Sequence, residues 1–157
     1  MTTIVAEPRP AQAGELEIAS FYLDDALMGI PIEVIEEINH HLDLTPVPHA
    51  PQCVRGVTNL RGEVVTVIDL RTVFGLEPTT ITRQTCNVVV RSGGEQIGIL
   101  ADRIGEVVST SRAAIEPPPA NVAGGDGRFF RGVCKLDEEI LVLLDVEQVL
   151  AAESPVK

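Results

Sequence analysis

The chain has 157 residues, 45% of them apolar, and a formal net charge of −11. A chain of that length buries about 70% of its unfolded surface, so its core needs neither a metal nor a disulfide. The negative charge argues against phosphate backbones and anionic lipid surfaces as partners, the lack of Trp leaves little for base stacking, and no stretch reaches the ~20 apolar residues of a membrane span.

Residues 1–16 read as a tail, because Pro8, Pro10, Gly14 and scattered alanines give no period. No basic segment followed by an apolar run marks a secretory signal there. A hairpin is predicted next: Phe21-Tyr22-Leu23, a turn at Asp24-Asp25, then Leu27 to Ile32. The stretch from Val34 to Leu42 fits a helical stripe at Val34, Ile35, Ile38 and Leu42. Its later counterpart, Ile104 to Thr110, has a glycine and then β-branched residues, which favour extended chain. At most one helical turn leading into a strand is therefore expected from Val34. Pro46, Pro48 and Pro51 then break the chain. The run Val64 to Ile68 is apolar almost without alternation, as a strand buried on both faces would be. Asp69 stands where it can cap a short helix, Leu70 to Phe74, ended by Gly75. Cys86 to Arg91 and Gln96 to Ala101 form a second hairpin around Ser92-Gly93-Gly94-Glu95. Pro117-Pro118-Pro119 and Gly124-Gly125-Asp126-Gly127 are loops. Ile140 to Leu144, Asp145 and Val146 to Ala152 then repeat strand, cap and helix. Many short strands with frequent turns predict an all-β fold of the small-barrel type.

The repeat is explicit. Val54 to Phe74 aligns without a gap on Phe130 to Leu150, with seven of 21 positions identical and seven more exchanging one bulky apolar residue for another. Chance would give roughly one or two identities. A weaker echo pairs Gly29 to Ile38 with Gly98 to Val107. Two packed units follow, and what both copies share serves the fold. Arg55-Gly56 recurs as Arg131-Gly132, whereas Asn59-Leu60-Arg61-Gly62 becomes Lys135-Leu136-Asp137-Glu138. Gly62 fits a tight turn needing positive φ. Arg61 either pairs within the chain or forms a forked pair with a partner's carboxylate.

Reactive constellations are hard to find. No phosphate-binding, dinucleotide, zinc-hydrolase or nucleophile-elbow motif occurs. The Gly-rich loop at 124–127 precedes a strand, not a helix, and reads as a connector. His40, His41 and His49 near Cys53 lack the tight spacing of a metal site. Cys53, Cys86 and Cys134 form no C-x-x-C pair, which suits reduced thiols in a cytoplasm. Asp69 and Asp145 sit in equivalent settings, so capping explains both without a shared catalytic site.

The run from Val54 to Arg71, VRGVTNLRGEVVTVIDLR, resembles the signature of the CheW-like family of bacterial chemotaxis coupling proteins. Gly29-Ile30-Pro31-Ile32 with Glu37-Ile38, Asp102-Arg103-Ile104 with Glu106-Val107, and Arg131-Gly132-Val133 with Leu144-Asp145 resemble its flanking stretches. The segment Asn39-His40-His41-Leu42-Asp43 is more polar than that pattern. The resemblance implies a domain over residues 17–153, built of two tandem SH3-like five-stranded barrels with strand exchange and short helices, followed by a tail at 154–157. It implies a non-enzymatic, cofactor-free adaptor of the cytoplasm, recruited to membrane-associated arrays without inserting into the membrane. Its partners would be the cytoplasmic tips of chemoreceptors and the regulatory domain of the histidine kinase CheA, in flagellar or in twitching, gliding or other chemosensory pathways. Carried onto this sequence, receptor contact falls on Ile35, Glu37, Gly56 and Arg61. Kinase contact is expected at Leu42, Asp43, Leu44 and Thr45, at the end of one barrel. An enzyme with an unfamiliar site, or a nucleic-acid barrel, would be the competing class.

Overall fold

The structure is a computed structural model and describes residues 14–118 and 127–151. In chain order it runs β1 (Glu15–Leu23), β2 (Ala26–Pro31), β3 (Ile35–Asn39), β4 (Val54–Leu60), β5 (Glu63–Asp69), α1 (Leu70–Val73), β6 (Cys86–Ser92), β7 (Glu95–Ala101), β8 (Arg103–Ser111), β9 (Phe130–Lys135), β10 (Ile140–Leu144) and α2 (Val146–Ala151). A single 3-10 turn, Ile32–Val34, leads into β3, which resolves the helix–strand ambiguity in favour of one turn followed by strand. Antiparallel pairing of β3 with β6 wins over the helical stripe.

The strands form two five-stranded sheets, ordered β3-β6-β7-β5-β4 and β8-β1-β2-β10-β9. Taking β1–β5 as one copy and β6–β10 as the other, the two orders are identical once each strand is replaced by its counterpart. Each hairpin has crossed over. β6–β7 completes the sheet made of β3, β4 and β5, while β1–β2 completes the sheet made of β8, β9 and β10. The crossed hairpins join by parallel pairing, β5 with β7 and β2 with β10. Neither barrel is therefore a contiguous stretch of chain. We call the sheet of β3–β7 the first barrel and the other the second.

The exchange divides the core into three. Leu60, Val65, Val67, Val89 and Leu100 fill the first barrel, with Leu42 and Leu44 packed against them. Leu16, Ile18, Leu27, Cys134, Leu141 and Leu143 fill the second. Between the barrels lies the largest cluster, to which both sheets contribute, including Phe21, Ile30, Ile68, Val88, Ile99 and Leu144. A strand that lines one barrel with one face and this shared core with the other has no polar side over that length. Val65 and Val67 point into the first barrel while Ile68 joins the shared core, and Leu141, Leu143 and Leu144 repeat this in β10.

Three expectations shift. The apolar runs are not buried from end to end: Val64 is 73% exposed and Ile140 58%, because Val65 and Leu141 beside them face into the barrels and the shared core does not reach the outer face there. β1 starts at Glu15, inside the predicted tail, since Glu15 pairs with Ser111 of β8 and Leu16 enters the core. Helix α1 closes at Val73, with Phe74 as its cap residue. Most of the N-terminal tail, Pro119, the loop Gly124 to Asp126, Ala152 and the C-terminal tail lie outside the described residues.

Candidate partner-binding site

The hairpin between β4 and β5 turns through two residues, Arg61 and Gly62, between the paired Leu60 and Glu63. Both have positive φ, +53° and +85°, the mirror-image turn whose twist suits a two-residue hairpin. Gly62 tolerates this freely, whereas Arg61 is held there against the usual preference of an L-residue. Asn59 supports the turn, its Oδ1 accepting from the Gly62 N–H at 2.9 Å.

From that turn Arg61 reaches β3. Its Nη2 pairs with Oε1 of Glu37, whose side chain is almost wholly buried, while the Arg61 side chain is 65% exposed. Asn39 completes the carboxylate's coordination through its Nδ2, 2.6 Å from Oε2, and is itself fixed by the His41 N–H on its Oδ1. A buried carboxylate is tolerable only when so paired. Of the two readings of Arg61, the internal pair is present, and the exposed part of the guanidinium still faces solvent. In the second barrel the equivalent positions carry Glu106 and Asp137, both acidic, so no such pair can form. The first barrel alone has this charge arrangement.

The other residues expected at the receptor contact are deeper. Ile35 is buried in the shared core. Gly56 is buried too, beside a register shift in β4, and the space a Cβ would need is held by the Thr45 carbonyl oxygen, 2.5 Å from it. A backbone does approach Gly56 closely, and it is the chain's own. Thr45 exchanges two backbone hydrogen bonds with Val57, at 2.8 and 2.9 Å, so residues 42–45 run along the edge of β4. Gly132 repeats the arrangement under Glu116, whose carbonyl oxygen would stand 2.7 Å from a Cβ. The shared glycine thus serves the fold in both copies.

Along that edge segment Leu42 and Leu44 turn into the first barrel, and Asp43 and Thr45 turn out. Asp43 and Thr45 form one wall of a groove of about 310 Å³, with His41 beside them and Val57, Asn59 and Val64 across from them. Val64 is the most exposed of the large apolar residues and was missed by sequence reasoning, which took its run as buried throughout. The available signal was its place next to the hairpin turn, where strands leave the packed middle of a sheet.

The carboxylates that recur at Asp69 and Asp145 have structural work. Asp69 is fully buried and accepts from the Arg71 N–H (3.1 Å), from Thr79 N–H (2.8 Å) and Oγ1 (2.7 Å), and from Arg55 (2.8 Å). It caps α1 and pins the loop after it. Asp145 accepts from the Gln148 N–H at 3.3 Å, the same capping role in weaker form. Nδ1 of His40 lies 2.9 Å from the Thr85 carbonyl oxygen, and among the described residues no three His, Cys, Asp or Glu side chains are grouped to hold a metal ion.

Two barrels with exchanged hairpins, one of them bearing the ion-paired turn, define an all-β double-barrel protein. The comparisons agree. The CheW-like domain family matches residues 17–154. Chemotaxis protein CheW of Klebsiella aerogenes is 31% identical over 137 residues, covering 87% of this chain and 82% of that protein. Protein FrzA of Myxococcus xanthus is 33% identical over 151 residues, covering 94% and 90%. The crystal structure of the scaffolding protein TtCheW from Thermoanaerobacter tengcongensis superposes with a TM-score of 0.76 at 29% identity, over 83% of this chain and 88% of that one. The chain belongs to the CheW-like family and is a chemotaxis adaptor of that type. None of the helices among its described residues is long and apolar enough to cross a membrane.

Proposed function

We propose that this adaptor couples the cytoplasmic tips of chemoreceptors to the histidine kinase CheA, and that it performs no reaction itself. The observation that carries the reading is the exposed Arg61, held in a left-handed turn and anchored on the buried Glu37. An arginine so fixed has lost much of its rotamer freedom before any partner arrives, so a carboxylate on a receptor helix meets a preorganised fork. Gly56 supports this contact from below, by seating the segment that carries Thr45, and Ile35 supports it by tying β3 to the core. The groove between Asp43, Thr45 and Val64 offers the kinase's regulatory domain two valines, Val57 and Val64, set among polar side chains. Binding both partners at once places the adaptor beneath the receptor array, where a change in contact geometry biases the kinase between states. The match to protein FrzA is compatible with a second reading, in which the same coupling serves a non-flagellar pathway.

The test is reconstitution of receptor-containing membranes, kinase and adaptor. Wild type is expected to bring kinase to the membranes in a sedimentation assay. Arg61→Glu should lose the membranes and keep the kinase, and Val64→Lys the reverse. Retention of both partners by both folded variants overturns the site assignment.

A further inference from the structure

Asn87 of β6 is fully buried, and neither its Oδ1 nor its Nδ2 has a hydrogen-bond partner. Among the described residues it is the one side chain with two such atoms. Cys86, Val88 and Val90 face the shared core and Val89 the first barrel, so the alternation of the strand sends Asn87 into the barrel as well. There it lies over Gly98, where a Cβ would stand 2.1 Å from its Oδ1.

The second barrel holds the control. Ile18 lies over Gly29 in the equivalent place, with a Cβ on Gly29 only 2.3 Å from its Cγ2, and Ile18 packs with Leu16, Leu27, Leu141 and Leu143. One barrel therefore has an alkyl group where the other has an unpaired amide. The surroundings sharpen the contrast. Asn39 is the β3 partner of Asn87, and Glu37 is the partner of Val89, so both enter the first barrel on the same face. Their polar atoms are committed to each other, to Arg61 and to the His41 N–H. In the second barrel those two positions are Val108 and Glu106, and Val108 packs against the apolar cluster.

An amide buried without a partner gives up its hydrogen bonds to water and gains nothing in return. The loss is recovered whenever the β3–β6 seam parts and water enters. We propose that Asn87 makes this seam a built-in weak point, so that the first barrel opens locally between β3 and β6 while the corresponding β1–β8 seam of the second barrel stays closed. Such openings below the global unfolding limit are where a strand carrying a contact residue, here Glu37, gains mobility.

Native-state hydrogen exchange on the full chain tests this. In wild type, β3 and β6 amides should exchange faster than those of β1 and β8. In Asn87→Val, protection of β3 and β6 should rise about tenfold, the factor expected when an unsatisfied buried amide is removed, with β1 and β8 unchanged. Protection that stays level, or rises equally in both barrels, overturns the proposal. Asn87→Ile, which copies Ile18, is the second variant. If both variants are less protected than wild type, the amide has found partners in solution and the weak point does not exist.

Discussion

Gly56 lies directly beneath Thr45, close enough that a Cβ would stand 2.5 Å from the Thr45 carbonyl oxygen, and its φ is +152°. Gly56→Ala must push the edge segment off β4 and strain its own backbone. It should lose about 3 kcal/mol of stability in urea titration, from overpacking and an unfavourable φ together. Gly132→Ala should lose less, because only the clash with Glu116 and Ile115 applies there.

Arg61 offers a way to separate partner binding from stability. Arg61→Gly removes the ion pair with Glu37 and relieves a left-handed residue at the same time. Relief of that backbone is worth about 1–2 kcal/mol, but the buried Glu37 carboxylate is left with Asn39 alone, and an uncompensated buried charge costs about 3–5 kcal/mol. The urea midpoint of Arg61→Gly should thus fall and that of Arg61→Gly with Glu37→Gln should recover, while capture by receptor-containing membranes stays low in both. A midpoint that holds in Arg61→Gly alone would show that Glu37 does not depend on the pair.

What the sequence made legible was local. The repeated run, both hairpins, the Asp69 and Asp145 caps and the single turn before β3 are written in spacing and residue type, and each appears as expected. The exchange of hairpins was expected only through family likeness, because a strand's alternation says which face is buried but not which strand lies beside it. The site was harder. Glu37 between Glu36 and Ile38 looks like one more surface acid, yet β3 turns Glu36 outward to Arg91 and Glu37 inward to Asn39. Asn87 was hidden in an apolar strand for the same reason: nothing in Cys86 to Val90 says that the polar member faces a closed barrel.

Arg71 ties the two barrels on one side. It donates from Nε and Nη2 to Asp102, at 3.3 and 2.8 Å, and also pairs with Asp24 at the tip of the β1–β2 hairpin. Burial pushes the Asp102 carboxyl up, but the hydrogen bonds from Arg71 and from the Asp24 N–H, with the Arg71 charge, outweigh it and hold the group below its usual range. Because the folded value is depressed, this contribution is complete above the unfolded carboxylate pKa of about 4 and is lost as pH falls through the folded one. Urea midpoints followed from pH 7 downward should therefore begin to drop near that value, and Asp102→Asn should start lower and decline less steeply. Parallel curves for the two proteins would remove Asp102 from the acid response.

Val64 stands on the outer face at the start of β5, far from the shared core. Val64→Lys should leave stability within about 0.5 kcal/mol, as surface changes usually do. If the groove beside Asp43 and Thr45 is the kinase contact, affinity for the kinase's regulatory domain should fall about tenfold, the value of burying one valine. Titration calorimetry with the isolated adaptor reads this directly, and an unchanged affinity would move the contact elsewhere.

The crossed hairpins also bear on ancestry. A single repeat unit has three strands and a hairpin that here lies on the other copy's strands. Two separate units paired in the same way would trade hairpins as a domain-swapped homodimer does. Joining two such genes end to end fixes that dimer in one polypeptide and frees the twins to diverge. One of them now carries Arg61 and Asn87 where the other has Asp137 and Ile18, while both carry a glutamate, at 37 and at 106.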